Sequence, residues 1–430
     1  MMETLNGGLG ADFLRGTALD SWIDATDGDD TILGEGGNDT LIGGFDLDLM
    51  SGAAGHDMIY GNRGNDTLMG DDGEDTLYGG QGDDLLTGGL GNDILYGNMM
   101  SDQITGETGD DTVFGGQGND IIFGDAGHDR LYGNLGADLI YGGEGDDLLS
   151  SGPSGLGQIG GDTLYGGLGD DTILGEAYNI QAFGGGGNDL IQMSGGSSSF
   201  ADGLPLARVY GDDGNDTITG RADGQGGLDN LIVDGGAGND LISSIGGVDT
   251  VYGGEGDDTV VSWRADRNLV YGGSGNDVLD YSSGYRCTLM GGDGDDTGYL
   301  GPIVMWDVFV PNSYHVSVGG TFHGGEGADT AVFLAARKTE IYDPAANTGT
   351  YVFADFQDGS DKIRLSGFGT GTATFVEASG FRSVDGTVAW QADTTGANAV
   401  NVFVRGFNGQ FMDIRIVGVR TLDAGDLTFV

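Results

Sequence analysis

The sequence predicts an all-β fold, a solenoid of 18-residue coils whose short strands form two parallel sheets. Residues 7–150 repeat one nonapeptide without a break, in sixteen units that start at residue 7 and at every ninth residue to 142. Position 8 of the unit is apolar in all sixteen, and position 6 is aspartate in fifteen, with Ser21 as the exception. A register held over 144 residues indicates a structural repeat rather than a disordered glycine-rich linker.

The residue types of the unit decide which elements it can form. Glycine occupies position 1 and often positions 2 and 4, and a glycine inside a helix costs roughly 1 kcal/mol relative to alanine. We therefore expect these glycines in tight turns with positive φ. Positions 7 to 9, such as residues 67–69, are β-prone and point alternately outward, inward and outward. Two turns and two strands then make one flattened coil, with the position-8 side chains between the two sheets.

The repeated aspartate predicts a bound cation. Stacked coils bring position-6 aspartates that are 18 residues apart to a spacing of roughly 4.8 Å. At an effective dielectric constant near 20, two such charges repel by about 3 kcal/mol. A cation between successive turns removes this repulsion, and an all-oxygen site of carboxylates and carbonyls suits calcium best.

The unit follows the pattern GGxGxDxUx, as in GGQGDDLLT at 79–87. In this pattern the chain resembles the RTX family, the calcium-binding nonapeptide repeats of secreted bacterial proteins. The resemblance implies a right-handed parallel β-roll, with one ion between each loop and the loop two units later. For the loops at 61–66 and 79–84, it implies a ligand set drawn from Asn62, Gly64, Asp66, Gly79, Gln81, Gly82 and Asp84.

The carboxylates that the resemblance assigns to calcium fall into two columns. One column contains Asp12, Asp30, Asp48, Asp66, Asp84, Asp102, Asp120 and Asp138, and the other contains Asp39, Asp57, Asp75, Asp93, Asp111, Asp129 and Asp147. Leu19, Asp46 and Met100 replace the position-4 glycine, and we expect weaker sites there. The pairs Asp171/Asp189 and Asp240/Asp258 keep the 18-residue spacing further along, so we expect on the order of a dozen calcium ions or more.

The composition limits the possible partners. The chain has 430 residues, 91 of them glycine, and a formal net charge of −52, which argues against nucleic acid and anionic membrane as partners. The single cysteine, Cys287, rules out an intrachain disulfide framework. The first residues lack the basic and apolar regions of a cleavable signal peptide, and no apolar stretch is long enough to predict a transmembrane segment.

The pattern divides the chain into three predicted regions. Residues 1–150 form an uninterrupted roll, and residues 151–332 form an interrupted one with insertions at 193–207 and 300–318. From 333 to 430, glycine becomes less frequent and alternating strands appear, such as 387–392, 401–404 and 412–417. We interpret this region as a small C-terminal β cap that covers the open end of the roll.

The last region carries a second resemblance. The segment VFADFQDGSDKIRLSGFG (352–369) and the final residues TLDAGDLTFV are similar to the end of serralysin-type secreted metalloproteases. The resemblance implies an uncleaved C-terminal secretion signal and an ABC-type exporter as a partner during secretion.

A catalytic site is not recognisable in the sequence. The four histidines are His56, His128, His315 and His323, and none belongs to an H-E-x-x-H motif. We interpret His56 and His128 as solvated loop residues, and His315 with His323 as a weak pair at best. G-x-S-x-G and P-loop motifs are also absent. An enzyme acting on extracellular polysaccharide, with its site in the two insertions, is kept as an alternative.

A further pattern lies at position 9. Aromatic residues recur every 18 residues and are expected to stack on one outer face: Tyr60, Tyr78, Tyr96, Phe114 and Tyr132. The ladder is interpreted either as intramolecular stabilisation or as a surface for glycan binding or self-association.

Together these features predict a secreted, calcium-binding protein that folds on calcium binding outside the cell. The expected location is extracellular and the expected role structural or adhesive, at or near the cell surface. The alternatives are the polysaccharide-acting enzyme and a subunit that forms layers or filaments.

Overall fold

The computed structural model describes residues 2–152, 161–176, 179–194, 207–221, 231–245, 249–266, 268–285, 287–300, 303–306, 314–317 and 320–334, and then the strands between 351 and 429. Beyond Ala331, and at a few strand ends before it, the backbone alone is described. The chain forms two compact units, Met1–Asp213 and Gly214–Val430, called here the N-terminal and C-terminal units.

The described part of the N-terminal unit consists of short strands joined by turns. They are β1 (Glu3–Asn6), β2 (Phe13–Arg15), β3 (Ser21–Asp27), β4 (Thr31–Leu33), β5 (Thr40–Phe45), β6 (Leu49–Ala54), β7 (Met58–Arg63), β8 (Thr67–Asp72), β9 (Thr76–Gln81), β10 (Leu85–Leu90), β11 (Ile94–Met99), β12 (Gln103–Thr108), β13 (Thr112–Gln117), β14 (Ile121–Ala126), β15 (Arg130–Leu135), β16 (Leu139–Glu144), β17 (Leu148–Ser150), β18 (Thr163–Leu168), β19 (Thr172–Gly175), β20 (Gln181–Gly186), β21 (Leu190–Ser194) and β22 (Arg208–Asp213).

The C-terminal unit continues with strands of similar length. They are β23 (Thr217–Arg221), β24 (Ile232–Ala237), β25 (Leu241–Ile245), β26 (Thr250–Glu255), β27 (Thr259–Asp266), β28 (Leu269–Ser274), β29 (Val278–Tyr285), β30 (Thr288–Asp293), β31 (Thr297–Leu300), β32 (Ile303–Trp306), β33 (Tyr314–Ser317), β34 (Gly320–Glu326), β35 (Thr330–Leu334), β36 (Tyr351–Phe353), β37 (Lys362–Ser366), β38 (Thr374–Glu377), β39 (Thr387–Ala392), β40 (Ala399–Arg405), β41 (Phe411–Val417) and β42 (Leu427–Phe429).

The predicted parallel β-roll is confirmed. In the N-terminal unit, odd-numbered strands form one parallel sheet, called sheet A, and even-numbered strands form the other, called sheet B. Thr67 pairs with Leu85 in sheet B, and Ile94 pairs with Thr112 in sheet A, so one coil advances by 18 residues. Between β16 and β18 the offset becomes 24, with Leu139 beside Thr163, because the chain inserts six residues there.

The strands are longer than the three residues that the sequence predicts. Most contain six residues, such as Thr67–Asp72, because the ladder continues past the position-1 glycine into positions 2 and 3 of the next unit. Position 2 then takes a left-handed conformation, as at Asn62 with φ 73° and Asp71 with φ 74°. This bend, together with a second positive φ at position 4, turns the chain toward the other sheet.

The core is the predicted row of position-8 side chains between the sheets. Every one from Ile23 to Leu149 is fully buried, while the flanking positions 7 and 9 are mostly half-exposed. Leu14 is the exception, since the first coil has a neighbour on one side only. A single apolar residue per nine therefore makes a continuous but narrow core.

In the C-terminal unit, the same pattern gives sheet C (β23, β25, β27, β29, β31, β35) and sheet D (β24, β26, β28, β30, β34). The strands predicted at 387–392, 401–404 and 412–417 are confirmed as β39, β40 and β41. β36 pairs with β34 and β41, and β37 pairs with β35 and β42, so the last strands of sheets C and D are covered. β40 lies between β39 and β41 and pairs antiparallel with both.

Two further observations concern the remaining segments. β32 and β33, within the predicted insertion 300–318, pair as an antiparallel hairpin. Among the described residues, none belongs to a helix with the length and apolar character needed to cross a membrane.

Candidate metal sites along the edges of the roll

The structure brings the position-6 aspartates together in the two predicted columns. Each backbone N–H donates to the Oδ1 of the aspartate one coil later, as from Asp66 to Asp84 at 2.8 Å and from Asp57 to Asp75 at 2.7 Å. The first column lies in the loops that lead into sheet B, called here edge 1. The second lies in the loops that lead into sheet A, called edge 2. Oδ1 of each carboxylate therefore has a structural partner in the protein.

The second carboxylate oxygen, Oδ2, has no hydrogen-bond partner in most of these aspartates. Oδ2 is buried without a hydrogen-bond partner in Asp30, Asp39, Asp48, Asp57, Asp66, Asp75, Asp84, Asp93, Asp102, Asp111, Asp120, Asp129, Asp138, Asp147, Asp171, Asp240, Asp258, Asp277 and Asp296. These residues are at most 3 % exposed. A buried carboxylate oxygen without a donor is unfavourable unless a cation compensates it. Asp12 differs, because its Oδ2 accepts the Gly8 N–H at 2.6 Å.

The position-1 glycine lies directly beside these Oδ2 atoms. A β-carbon built on Gly61 would lie 2.5 Å from Asp66 Oδ2 and 2.6 Å from the Gly79 carbonyl oxygen of the next coil. A β-carbon on Gly70 would meet Asp75 Oδ2 and the Gly88 carbonyl oxygen, both at 2.5 Å. A side chain at position 1 would therefore collide with both oxygens, so the glycine lets a carboxylate oxygen and a carbonyl oxygen of the next coil lie close together, and both are hard donors of the type that calcium prefers.

The remaining predicted ligands lie in the same two loops. The Asn62 carbonyl faces the next coil at Gly80, and the Gly64 carbonyl faces it at Gly82. The Gln81 carbonyl already accepts the Gly64 N–H at 3.0 Å. Their roles as ligands remain predictions.

Backbone carbonyls are needed in any such site. Within the described part of the chain, no three His, Cys, Asp or Glu side chains form a cluster that could hold a metal ion. One carboxylate from each of two coils, with carbonyls from both loops, is thus the donor set that the fold offers, and it is the hard oxygen set that calcium prefers.

Burial changes the protonation of these carboxylates when no cation is present. It raises the pKa of Asp66 to about 6, although the Asp48 N–H bond opposes the shift. Burial also raises the pKa of Asp102 to about 8, and the neighbouring charges of Asp84 and Asp120 add to the increase. The folded protein without a cation therefore resists having all its carboxylates ionised at neutral pH.

Two of the three loops without the position-4 glycine keep a positive φ at that position. Asp46 has φ 75° and Met100 has φ 77°, and the bonds from Asp48 to Asp66 and from Asp84 to Asp102 are intact. Weaker calcium binding at these loops remains a prediction.

The two edges differ beyond residue 162. Edge 1 of the N-terminal unit continues from Asp138 to Asp162 and then carries Ile180 and Ala207 at the aspartate position. Edge 2 keeps aspartate throughout, with bonds from Asp147 to Asp171 and from Asp171 to Asp189, both at 2.8 Å.

The C-terminal unit shows the same division. The loops into sheet C carry a continuous column whose members are Asp216, Asp240, Asp258, Asp277, Asp296 and Asp329, linked at 2.8–2.9 Å. The loops into sheet D carry Leu231, Asp249, Asn268 and Cys287 instead, all buried. The carboxylate column is therefore continuous on one edge of this unit only.

Spacing alone missed part of these columns. Asp162, Asp216, Asp277, Asp296 and Asp329 lie in recognisable units, but intervals of 19, 24 or 33 residues between successive coils replace the 18-residue interval. The glycine-rich loop directly before each aspartate, such as GGEGAD at 324–329, is the signal that identifies them. Asp229, which follows the same frame, lies outside the described residues, as does most of the insertion 193–207.

Position 5 has a role that the sequence analysis did not foresee. Its side chain accepts the position-5 N–H of the next coil, as at Asn65 and Asp83. His56 and His128 are exposed as expected, and their Nδ1 atoms accept the N–H groups of Glu74 at 2.9 Å and Asp146 at 2.8 Å. Asn, Asp, Ser and neutral His all supply such an acceptor, which explains the variety at this position. His323 lies on β34, and the side chain of His315 is outside the described part.

The predicted aromatic ladder is confirmed on sheet A. Tyr60, Tyr78, Tyr96, Phe114 and Tyr132 stack with centroid distances of 4.8–5.0 Å and interplanar angles of 2–8°. A second ladder on sheet B contains Phe123, Tyr141, Tyr165, Phe183 and Tyr210, stacked at 4.7–5.1 Å. Its members do not keep a constant 18-residue spacing, because insertions separate Tyr141 from Tyr165 and Phe183 from Tyr210, so the ladder is not apparent from the sequence.

Comparison with known protein families agrees with this geometry. The family model described as RTX calcium-binding nonapeptide repeat matches residues 3–18, 15–50, 24–59, 60–95, 96–131, 123–153, 156–177, 208–223, 226–260 and 264–285. Among curated proteins, none matches the chain in sequence. The columns of the structure extend beyond the matched residues to Asp296 and Asp329. Because the matches cover more than half of the chain and the loops bring buried carboxylates and carbonyls together, the chain belongs to the RTX family of calcium-binding nonapeptide-repeat proteins.

Proposed function

We propose that this chain is a secreted protein that remains unfolded in the low-calcium cytosol and folds when calcium binds outside the cell. Its role is structural or adhesive, at or near the cell surface, and it needs no catalytic site. The observation that supports the proposal is the pair of long carboxylate columns, in which every Oδ2 atom from Asp30 to Asp147 is buried without a donor.

Thermodynamic linkage connects the columns to folding. An ion that binds between two coils binds the folded chain alone, so its binding free energy adds to the free energy of unfolding. Sites of the extracellular type bind calcium at roughly 10⁻⁴–10⁻³ M, far above cytosolic calcium. Many such sites in one solenoid make folding cooperative, because each coil is stabilised by its neighbours.

The route out of the cell belongs to the same proposal. The C-terminal segment resembles that of serralysin-type proteins, which supports an ABC-type exporter that takes the unfolded chain as its cargo. A chain that cannot fold before it meets extracellular calcium remains extended enough for such transport.

Far-UV circular dichroism during a calcium titration tests calcium-dependent folding. We expect a coil spectrum in excess chelator, a cooperative change to a β spectrum at about 10⁻⁴–10⁻³ M calcium, and reversal by chelator. Magnesium at the same concentration is the control and should act far more weakly, since it binds all-protein cages poorly. A complete β spectrum in excess chelator would contradict the proposal. Export is tested separately, by following the full chain into the medium of cells with and without a one-step exporter.

A further inference from the structure

One outer face of the N-terminal unit lacks acidic residues, although the chain carries a net charge of −52. The nine odd-numbered strands from β5 to β21 contain no Asp or Glu, and Arg63 and Arg130 are their charged residues. Sheet B differs, since its strands include Asp71, Asp72 and Asp125. Glu3, Asp24 and Asp27 lie on β1 and β3 of sheet A, so its acid-free face spans β5 to β21, and the acidic groups beside that face lie in the loops.

The aromatic ladder determines which ligands this face can bind. Its rings are nearly parallel, with interplanar angles of 2–8°, so each ring face is covered by its neighbours. A sugar that stacks on an aromatic face can reach only the two terminal rings, Tyr60 and Tyr132. The ladder exposes a row of ring edges. Met58 and Ile94 lie beside this row and are 40 % and 39 % exposed.

A partner that covers this face must satisfy two conditions. It needs a repeat close to 4.8–5.0 Å to match the ladder over its length. It must also avoid placing a carboxylate on threonine, aliphatic and aromatic side chains, because an unpaired buried charge is strongly unfavourable. Arg63 and Arg130 of the face must keep their guanidinium groups in water, which their long side chains allow. Strands β5 to β21 of a second copy have the same repeat and are equally free of acidic residues, so a two-fold axis could place the face against itself.

We propose that two copies of this chain pair face to face through sheet A of the N-terminal unit, over strands β5 to β21. The face is roughly 38 Å long at about 4.8 Å per strand and roughly 12 Å wide, so each copy contributes on the order of 500 Å². The total of about 1,000 Å² is at the lower limit for a specific interface. An interface of this size is typical of weak, transient complexes, so we expect a dissociation constant in the micromolar range.

Pairing requires the calcium-loaded fold, and to that extent the proposal rests on the proposed function. Without calcium, the acidic loops on either side of sheet A repel the same loops of the second copy. With calcium in the columns, that repulsion is largely removed, and the acid-free sheets can approach.

Sedimentation velocity of the full chain in millimolar calcium, from about 1 to 200 μM, tests the proposal around the expected dissociation constant. Thr76→Glu on sheet A and Thr67→Glu on sheet B form a matched pair. Both threonines occupy position 7 and are half-buried. Thr76 lies between Met58 and Ile94, and Thr67 lies between Leu49 and Leu85. We expect wild type and Thr67→Glu to dimerise alike, and Thr76→Glu to weaken the dimer at least tenfold. Tyr78→Ser, which removes an exposed ring edge without adding charge, should weaken it also.

Circular dichroism in calcium, measured on every variant, separates loss of pairing from loss of folding and keeps this test independent of the proposed function. The proposal is overturned if the wild-type chain folds in calcium but stays monomeric to 200 μM. Binding of a soluble oligosaccharide by such a monomer would not rescue it. The proposal is also overturned if Thr67→Glu and Thr76→Glu weaken the dimer equally, or if neither weakens it.

Discussion

At the scale of single residues, each position-6 aspartate uses its two oxygens differently. Oδ1 of Asp84 accepts the Asp66 N–H at 2.8 Å, while its Oδ2 is buried without a donor. An asparagine could keep the first interaction through its carbonyl oxygen but would place an NH₂ group where a cation needs an oxygen. Ion binding, and not the backbone hydrogen bond, therefore explains why position 6 is aspartate.

Asp84→Asn should separate these two roles. We expect loss of the calcium sites that use this carboxylate, at about 1.4–2.7 kcal/mol per site when calcium is 10 to 100 times its dissociation constant. In chelator, the same variant should be no less stable than wild type, because a buried charge has been removed. Thermal unfolding in calcium and in chelator provides the measurement.

Asp83→Asn is the matched control for that prediction. Asp83 is exposed and accepts the Ser101 N–H through Oδ1, as Asn65 does for Asp83 one coil earlier. The substitution should leave calcium-dependent stability unchanged. Equal destabilisation by both variants would show that the position-6 carboxylate acts only as a backbone acceptor.

At the scale of elements, the two edges of the roll have diverged. In the C-terminal unit, the loops into sheet C keep six aspartates in one column, whereas the loops into sheet D carry Leu231, Asn268 and Cys287. The extra residues of this unit before β34 also fall in the loops into sheet D. A loop that holds an ion must keep its length and glycines, and a loop that holds none can vary.

This difference predicts an unequal response to calcium along the chain. Asp277→Asn, in the complete column, should increase amide hydrogen exchange of β29 and β31 in calcium at least tenfold, since its ion sites connect these coils. Asp249→Asn, in the incomplete column, should not, because Asn268 beside it offers no second carboxylate. Peptide-resolved hydrogen exchange measures both, and a larger effect from Asp249→Asn would contradict the assignment of the ion sites.

At the scale of the whole molecule, many small electrostatic penalties add together. Burial raises the pKa of Asp48 to about 7, of Asp111 to about 7 and of Asp171 to about 8, and neighbouring carboxylates in the columns contribute to each increase. The chain has 68 acidic against 16 basic residues, so internal cations cannot neutralise the columns. External divalent ions can, at two charges each.

The raised pKa values determine how the calcium-free protein responds to pH. In the unfolded chain these aspartates ionise near 3.8, while in the fold they ionise near 6 to 8. Their contribution to stability is thus fully present below pH 3.8 and is lost as pH rises through 6 to 8. In chelator, we expect β structure to increase on acidification from pH 8 to pH 5, which is above the isoelectric point of about 4.1.

Calcium binding should have the opposite pH dependence, because a protonated carboxylate cannot bind the ion. The calcium concentration at half-folding should decrease from pH 6 to pH 8. Titrations followed by circular dichroism at the two pH values measure this shift. An increase, or no gain of β structure on acidification in chelator, would contradict the assignment of these carboxylates as the ligands.

The sequence by itself determined the coil length, the core and the two carboxylate columns, because each depends on a period that can be counted. Position 8 points inward in every complete coil for the same reason that Asp66 meets Asp84: both follow from an 18-residue advance. The first aromatic ladder was predictable on that basis too. Each of these features can be predicted without knowing which irregularly spaced residues are in contact.

Only the tertiary structure decided what the insertions do to the columns. Asp147 and Asp171 are 24 residues apart and Asp296 and Asp329 are 33 apart, yet each pair is hydrogen-bonded like the regular ones. The roll fixes the register through backbone hydrogen bonds between neighbouring strands, so extra residues are placed in loops on one edge while the strands stay aligned. For this reason three features could be recognised only from the stacked coils. They are the loss of acidic residues from edge 1, the second aromatic ladder, and the acid-free face of sheet A over β5 to β21.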